Sequence, residues 1–195
     1  MTAVSTTGTA LRPRSRLRAR LVLAGLSACG LAALAWASFV HPIPRLIYNP
    51  SDSVPVGWYR VDPQRHGTGS LPRSLSVGSI VLTTLPPDAA ALAAQRGYLP
   101  ARVPLLKRVG AVASQEVCVT GRIVRIDGVL SATVLPADRW GRPLPSWQQC
   151  QRLEPGELFL LSVINPASFD SRYFGPVSAA AVIGVARPVW LESRP

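Results

Sequence analysis

Residues 117–134 read VCVTGRIVRIDGVLSATV. Three runs rich in β-branched residues, 117–119, 122–126 and 129–134, are separated by Thr120-Gly121 and Asp127-Gly128. Branched side chains suit a pleated, half-buried surface, and Asp-Gly is a strong two-residue hairpin signal because it tolerates positive φ at both turn positions. The stretch therefore predicts three antiparallel strands joined by tight turns. Outward from it, 80–84, 102–109, 158–163 and 180–186 are short apolar runs bounded by turn-forming residues, each a strand candidate. One helix is expected over 87–96, PDAAALAAQR, with an acid at its start and Gly97 beyond its end. Segments 63–73 and 136–155, rich in Pro, Gly, Ser and Arg, are expected to be loops. Together these signals describe one mainly β, antiparallel domain with a small helix.

At 195 residues the chain has room for that domain and an attached segment. Residues 21–40, LVLAGLSACGLAALAWASFV, carry no charge. As a helix rising about 1.5 Å per residue they extend roughly 30 Å, the thickness of a bilayer's hydrocarbon core. Arg12, Arg14, Arg16, Arg18 and Arg20 precede them, which favours a cytoplasmic N-terminus and an exported remainder. The expected organisation is a basic cytoplasmic tail over 1–20, a single-pass anchor over 21–40 in a bacterial inner membrane, and an extracytoplasmic domain over 41–195. A cleavable signal peptide is the alternative, since Ala35-Trp36-Ala37 fits the small-x-small cleavage pattern, but the apolar run exceeds the usual signal-peptide core. Both readings export the domain.

The net charge of +11 raises the question of a nucleic-acid partner. About half of it sits in the N-terminal tail and the rest is spread thinly, without a basic stripe interleaved with aromatics, so no nucleic-acid partner is expected. Of three cysteines, Cys29 lies in the apolar segment, and Cys118 and Cys150 fall in the exported part, where an oxidising compartment allows one disulfide. With two histidines, His41 and His66, and no CxxC spacing, no metal site or other cofactor is expected.

Lys plus Arg is 21, yet Lys107 is the only lysine. A bias toward arginine explains the scarcity but not the exception. Lysine alone of the two offers a deprotonatable amine. Working as a base near neutral pH requires its pKa to fall by several units, which burial among apolar groups provides. Strand alternation through Leu105-Leu106-Lys107-Arg108-Val109 puts Lys107 on one face with Leu105 and Val109, and Arg108 on the other. A serine needs such a partner, because its hydroxyl is a poor nucleophile until a base removes the proton. The alternatives that remain are a surface lysine on an edge strand and a histidine-based triad using His41 or His66.

Three motifs then fall in order. Asn49-Pro50-Ser51-Asp52-Ser53-Val54-Pro55-Val56-Gly57-Trp58-Tyr59 resembles the serine motif of the type I signal peptidase family, specifically its conjugative-transfer TraF branch. Leu106-Lys107-Arg108-Val109-Gly110-Ala111 is similar to that family's lysine box, and Ser168-Phe169-Asp170-Ser171-Arg172-Tyr173-Phe174-Gly175-Pro176-Val177 to its C-terminal box. Val54 replaces the usual methionine, and Val163-Ile164-Asn165-Pro166 stands where housekeeping signal peptidases carry Gly-Asp-Asn, which favours the TraF branch. The resemblance implies a signal-peptidase-type β domain and a serine endopeptidase. Ser53 would be the nucleophile and Lys107 the general base. Ser51 and the Ser53 backbone N–H would serve the oxyanion, Ser168 would orient the lysine, and Asp170 and Arg172 would brace the site as an ion pair.

It also implies a membrane-bound, pilin-like precursor as substrate, with the acyl-enzyme resolved by water or by a peptide amine that closes a ring. General leader peptidase activity, a non-enzymatic envelope scaffold and a self-cleaving regulator are the competing readings. The twelve residues from His41 to Ser53 reach at most about 40 Å, keeping the nucleophile near the bilayer. Ile43, Leu46, Ile47, Val54, Val56 and Trp58 are expected either to line a groove that takes a peptide as an added strand or to be core.

Overall fold

A computed structural model of the chain describes residues 13–39, 45–64 and 75–193. The chain divides into two compact units, Met1–Pro42 and Ile43–Pro195. Among the described residues the first holds one helix, α1 (Pro13–Phe39). Its stretch Arg16–Ala37 is long and apolar enough to cross a membrane, and its side chains are exposed throughout.

The second unit contains, in chain order, β1 (Leu46–Asn49), β2 (Gly57–Pro63), β3 (Ile80–Thr83), α2 (Pro87–Gln95), β4 (Leu105–Val112), β5 (Glu116–Thr120), β6 (Ile123–Ile126), β7 (Val129–Thr133), β8 (Cys150–Arg152), β9 (Glu157–Leu160), α3 (Ser171–Phe174), β10 (Val177–Ser178) and β11 (Val182–Leu191). Two antiparallel sheets result, one of seven strands in the order β1-β2-β11-β3-β4-β9-β10 and one of four in the order β7-β6-β5-β8. The fold is thus mainly β with few helices, as the sequence predicts.

The β6–β7 hairpin turns on Asp127 (φ 50°) and Gly128 (φ 79°), the paired positive angles an Asp-Gly turn supplies. Val117, Val119 and Val124 of the small sheet pack with Ala111 of β4, Phe159 of β9, Leu161 and Tyr173 in one core cluster. Two further clusters flank β4. Val81, Val109, Leu158 and Leu160 form one, and Val54, Tyr59, Leu82 and Leu106 the other. The strand carrying Lys107 is therefore enclosed on both faces.

Several boundaries differ from the sequence expectation. β4 begins at Leu105 rather than 102, because Pro104 has no N–H for the ladder and 101–103 form a turn. β9 ends at Leu160 rather than 163, since the Ser162 N–H leaves the sheet to donate to the Asp170 carboxylate. β11 opens with a 3-10 turn (Ala179–Ala181) and runs on to Leu191. The segment 136–155 contains β8, held by pairing with β5. The expected loop 63–73 lies largely outside the described residues.

Candidate active site

Three separate parts of the large sheet bring the site together. The seven residues between β1 and β2, Pro50 to Val56, form the serine loop. Lys107 comes from the middle of β4, opposite Val81 of β3. Ser168 comes from the connection between β9 and α3.

The Lys107 Nζ lies 2.5 Å from the Ser53 Oγ and is also hydrogen-bonded to the Ser168 hydroxyl. The two hydroxyls are 3.1 Å apart, so amine and serines form a closed triangle. Lys107 is 1% exposed. Burial pushes its amine from the ordinary 10.5 down to about 8; the Asp170 charge pulls it partly back and the Arg172 guanidinium lowers it further. Arg108, the next residue, is half-exposed and donates to the Gly78 carbonyl at 2.7 Å, so alternation sends the two cations to opposite faces.

Asp170 and Arg172 lie beneath this triangle, both buried. Arg172 grips the carboxylate with two parallel bonds, Nε to Oδ1 at 2.7 Å and Nη2 to Oδ2 at 2.8 Å. The same guanidinium donates to the carbonyls of Thr133 (2.8 Å), Pro166 (2.9 Å) and Ser168 (2.9 Å), tying the end of β7 to the segment that presents Ser168. Burial works against the Arg172 charge, but the bonds and charge of Asp170 outweigh it and raise its pKa.

Two residues that the sequence reading gave no role hold the serine loop. The buried Ser162 hydroxyl donates to the Ser53 carbonyl at 2.8 Å, while its backbone N–H donates to Asp170 at 3.0 Å. Asn49 spans the loop from the other side. An Asn before Pro and Ser is itself a turn signal, so its part was open to view; nothing in the sequence marks Ser162. Ser51 is exposed, and its hydroxyl donates to Asn49 Oδ1 at 2.9 Å. Gly57 closes the loop at φ 145°, where a Cβ would stand 2.2 Å from the Trp190 carbonyl oxygen, so no other residue fits.

A cleft of about 810 Å³ opens over the triangle. Its lining includes Ile47 of β1, Leu105 and Leu106 of β4, and Tyr98, Trp140 and Phe169. Tyr98 stacks on Trp140 at 6.3 Å and packs against Phe169 at 5.4 Å, forming an aromatic wall. Of the apolar residues flanking Ser53 in sequence, Val54 and Val56 are core and Ile47 lines the cleft. Leu46 and Trp58 are exposed, and Ile43 lies outside the described residues. His41 and His66 lie outside them as well.

Cys118 and Cys150 face each other across β5 and β8 and form a disulfide, away from the cleft-lining residues. Glu116 lies beside these sulfurs, but joined sulfurs lack the thiolate a metal would take.

The antiparallel β unit thus brings the Ser53 and Ser168 hydroxyls together on the buried Lys107 amine. The family model for signal peptidase, peptidase S26, matches residues 18–191, and the chain belongs to that family. Among curated relatives, it is 35% identical to the "Plasmid transfer protein TraF" of Escherichia coli over 185 residues, 89% of this chain and 95% of that one. It is also 35% identical over 180 residues to the "Conjugal transfer protein TraF" of Agrobacterium fabrum, covering 88% of this chain and 96% of the relative. A solved signal peptidase I from Enterococcus faecalis is 21% identical, covering 58% of this chain and 97% of that one with a TM-score of 0.36. The chain's function is thus signal-peptidase-like, within the conjugation group of the family.

Proposed function

We propose that the protein is a membrane-anchored serine endopeptidase with a Ser53/Lys107 dyad that processes an exported, pilin-like precursor during conjugation. The observation that carries this reading is a buried amine 2.5 Å from the Ser53 hydroxyl, inside general-base reach. Neutral Lys107 takes the Ser53 proton as Oγ bonds to the scissile carbonyl carbon. Negative charge then builds on the carbonyl oxygen, opposite the Ser51 hydroxyl and the Ser53 backbone N–H. The intermediate collapses, the C–N bond breaks, and Lys107 returns the proton to the departing amine. Water completes hydrolysis of the acyl-enzyme; an incoming peptide amine would close a ring instead. Ser168 fixes the amine's direction, and Asp170 with Arg172 holds Ser168.

The cleft supports an extended peptide as substrate. Residues 105–107 pair with β3 on one side only, and β1 with β2 only, leaving strand edges on which a peptide adds by main-chain bonds. In this reading 1–20 is a cytoplasmic tail, 21–40 the inner-membrane anchor, and 41–195 the extracytoplasmic domain that meets a membrane-bound precursor.

Ser53→Ala and Lys107→Arg are each expected to abolish precursor processing in a folded protein, by at least about 10³-fold. Full processing by Lys107→Arg would remove the proposed base. Restoration of secretion in cells depleted of their own leader peptidase would favour a general leader peptidase over a conjugation-specific enzyme.

A further inference from the structure

Asn49 is the last residue of β1 and is 6% exposed. Its carboxamide is saturated by the loop it precedes. The two Nδ2 protons are shared among the carbonyls of Ser51 (2.8 Å), Val54 (3.0 Å) and Pro55 (3.1 Å). Its Oδ1 accepts from the Ser51 N–H at 3.3 Å and from the Ser51 hydroxyl at 2.9 Å. With Ser162 on the Ser53 carbonyl and the Tyr59 hydroxyl also donating to Pro55, four of the five carbonyls from Ser51 to Pro55 are tied down. Such a loop holds its backbone in one place, so the Ser53 N–H keeps a fixed direction.

The Ser51 hydroxyl, on an exposed side chain, is a donor that can still move. It has a single proton, and without substrate that proton points at a neutral amide oxygen. A hydrogen bond to an anion is roughly twice as strong as one to a neutral acceptor. Charge developing on a peptide carbonyl oxygen would therefore draw the proton off Asn49, while that oxygen in its neutral ground state would compete with Asn49 on nearly even terms.

We propose that Asn49 is a positioning residue that parks the Ser51 hydroxyl on its amide oxygen and releases it to the oxyanion as charge develops. The inference rests on the serine-peptidase reading above and gives Asn49 no contact with substrate. The Ser51 hydroxyl leaves Asn49 in the transition state, but Asn49 keeps its bonds to the Ser51 carbonyl and N–H and so holds that hydroxyl at the oxyanion; losing this positioning falls on kcat and leaves KM nearly unchanged.

The test uses full-length protein in detergent, a peptide spanning the precursor's cleavage site, and a double-mutant cycle of Asn49→Ala with Ser51→Ala. Removing one oxyanion donor typically costs about 10²- to 10³-fold in kcat, which sets the expectation for Ser51→Ala. Asn49→Ala is expected to lose at least about tenfold in kcat, with KM within about threefold of wild type. In the Ser51→Ala background the same change should cost less than about threefold, since its target is gone. The pH midpoint of kcat should stay at the wild-type value; a general loosening that wets Lys107 would move it upward. Should the alanine form not fold, Asn49→Ser, whose hydroxyl can still cap a turn, replaces it in the cycle. An undiminished kcat in the Asn49 variant, an equal loss with and without the Ser51 hydroxyl, or a displaced midpoint overturns the proposal. A wild-type protein that neither cleaves the peptide nor reacts at Ser53 with a serine-directed probe overturns the peptidase reading itself, whatever the Asn49 variants do.

Discussion

A lysine that is 1% exposed is a costly residue to keep. With a folded pKa near 8 and an ordinary value of 10.5, the unfolded chain binds more protons between those values. Lys107 thus lowers stability by on the order of 3 kcal/mol below pH 8, and the penalty is relieved as pH rises from about 8 to 10.5. Its two hydrogen bonds to serines return about 1 kcal/mol each, less than the cost of burying the charge. Lys107→Met is therefore expected to be inactive yet at least as stable as wild type at pH 7, with the difference shrinking toward pH 10.5 in thermal unfolding. Catalysis runs with the same proton. If neutral Lys107 is the base, kcat should rise with pH through a midpoint near 8. A flat profile from pH 6 to 9 would mean that another group takes the serine proton. The sequence pointed to this residue because a lone lysine among arginines asks for a reason. The groups that pack around it come from β3, the serine loop and the Ser168 segment, all distant from it in the chain.

At the scale of elements, the site depends on two fixings. The serine loop is closed by Gly57, whose φ of 145° and contact with the Trp190 carbonyl leave no space for a Cβ. Gly57→Ala is expected to cost about 1–3 kcal/mol. For a unit of this size that lowers Tm by roughly 2–12 °C. Activity should fall with it, because the loop must move away from β11. The second fixing is the Asp170–Arg172 pair. Arg172→Ala would strand a buried carboxylate and release three carbonyls, at about 3–5 kcal/mol in denaturant unfolding. An effect below about 1 kcal/mol would mean that the pair is not the brace described. The β5–β6–β7 meander was legible because its turns are encoded by adjacent residues. β1, β2 and β8 were not: β2 and β8 also pair with the distant β11 and β5, and β1 is joined to β2 by a seven-residue loop that carries no two-residue hairpin signal.

For the whole molecule, the apolar helix and the β unit answer different needs in the proposed function. If the proposed topology holds, removing residues 1–40 should leave cleavage of a soluble peptide within a few-fold. Processing of a membrane-bound precursor should fall by more than about tenfold, as co-confinement in the bilayer is lost. Equal processing with and without the helix would show that the anchor does not deliver the enzyme to its substrate. The sequence by itself determined the apolar helix, the antiparallel β character, the tight turns and the three boxes that carry the family resemblance. Each of these is written in neighbouring residues, through periodicity, turn chemistry or a local motif. Only the tertiary structure decided that Ser53, Lys107 and Ser168 converge, that Asn49 and Ser162 hold the serine loop, and that Val54 and Val56 are core while Tyr98, Trp140 and Phe169 wall the cleft. Those relations join residues far apart along the chain, and their physical cause is burial, which ranks side chains by what the folded sheets enclose and not by sequence position.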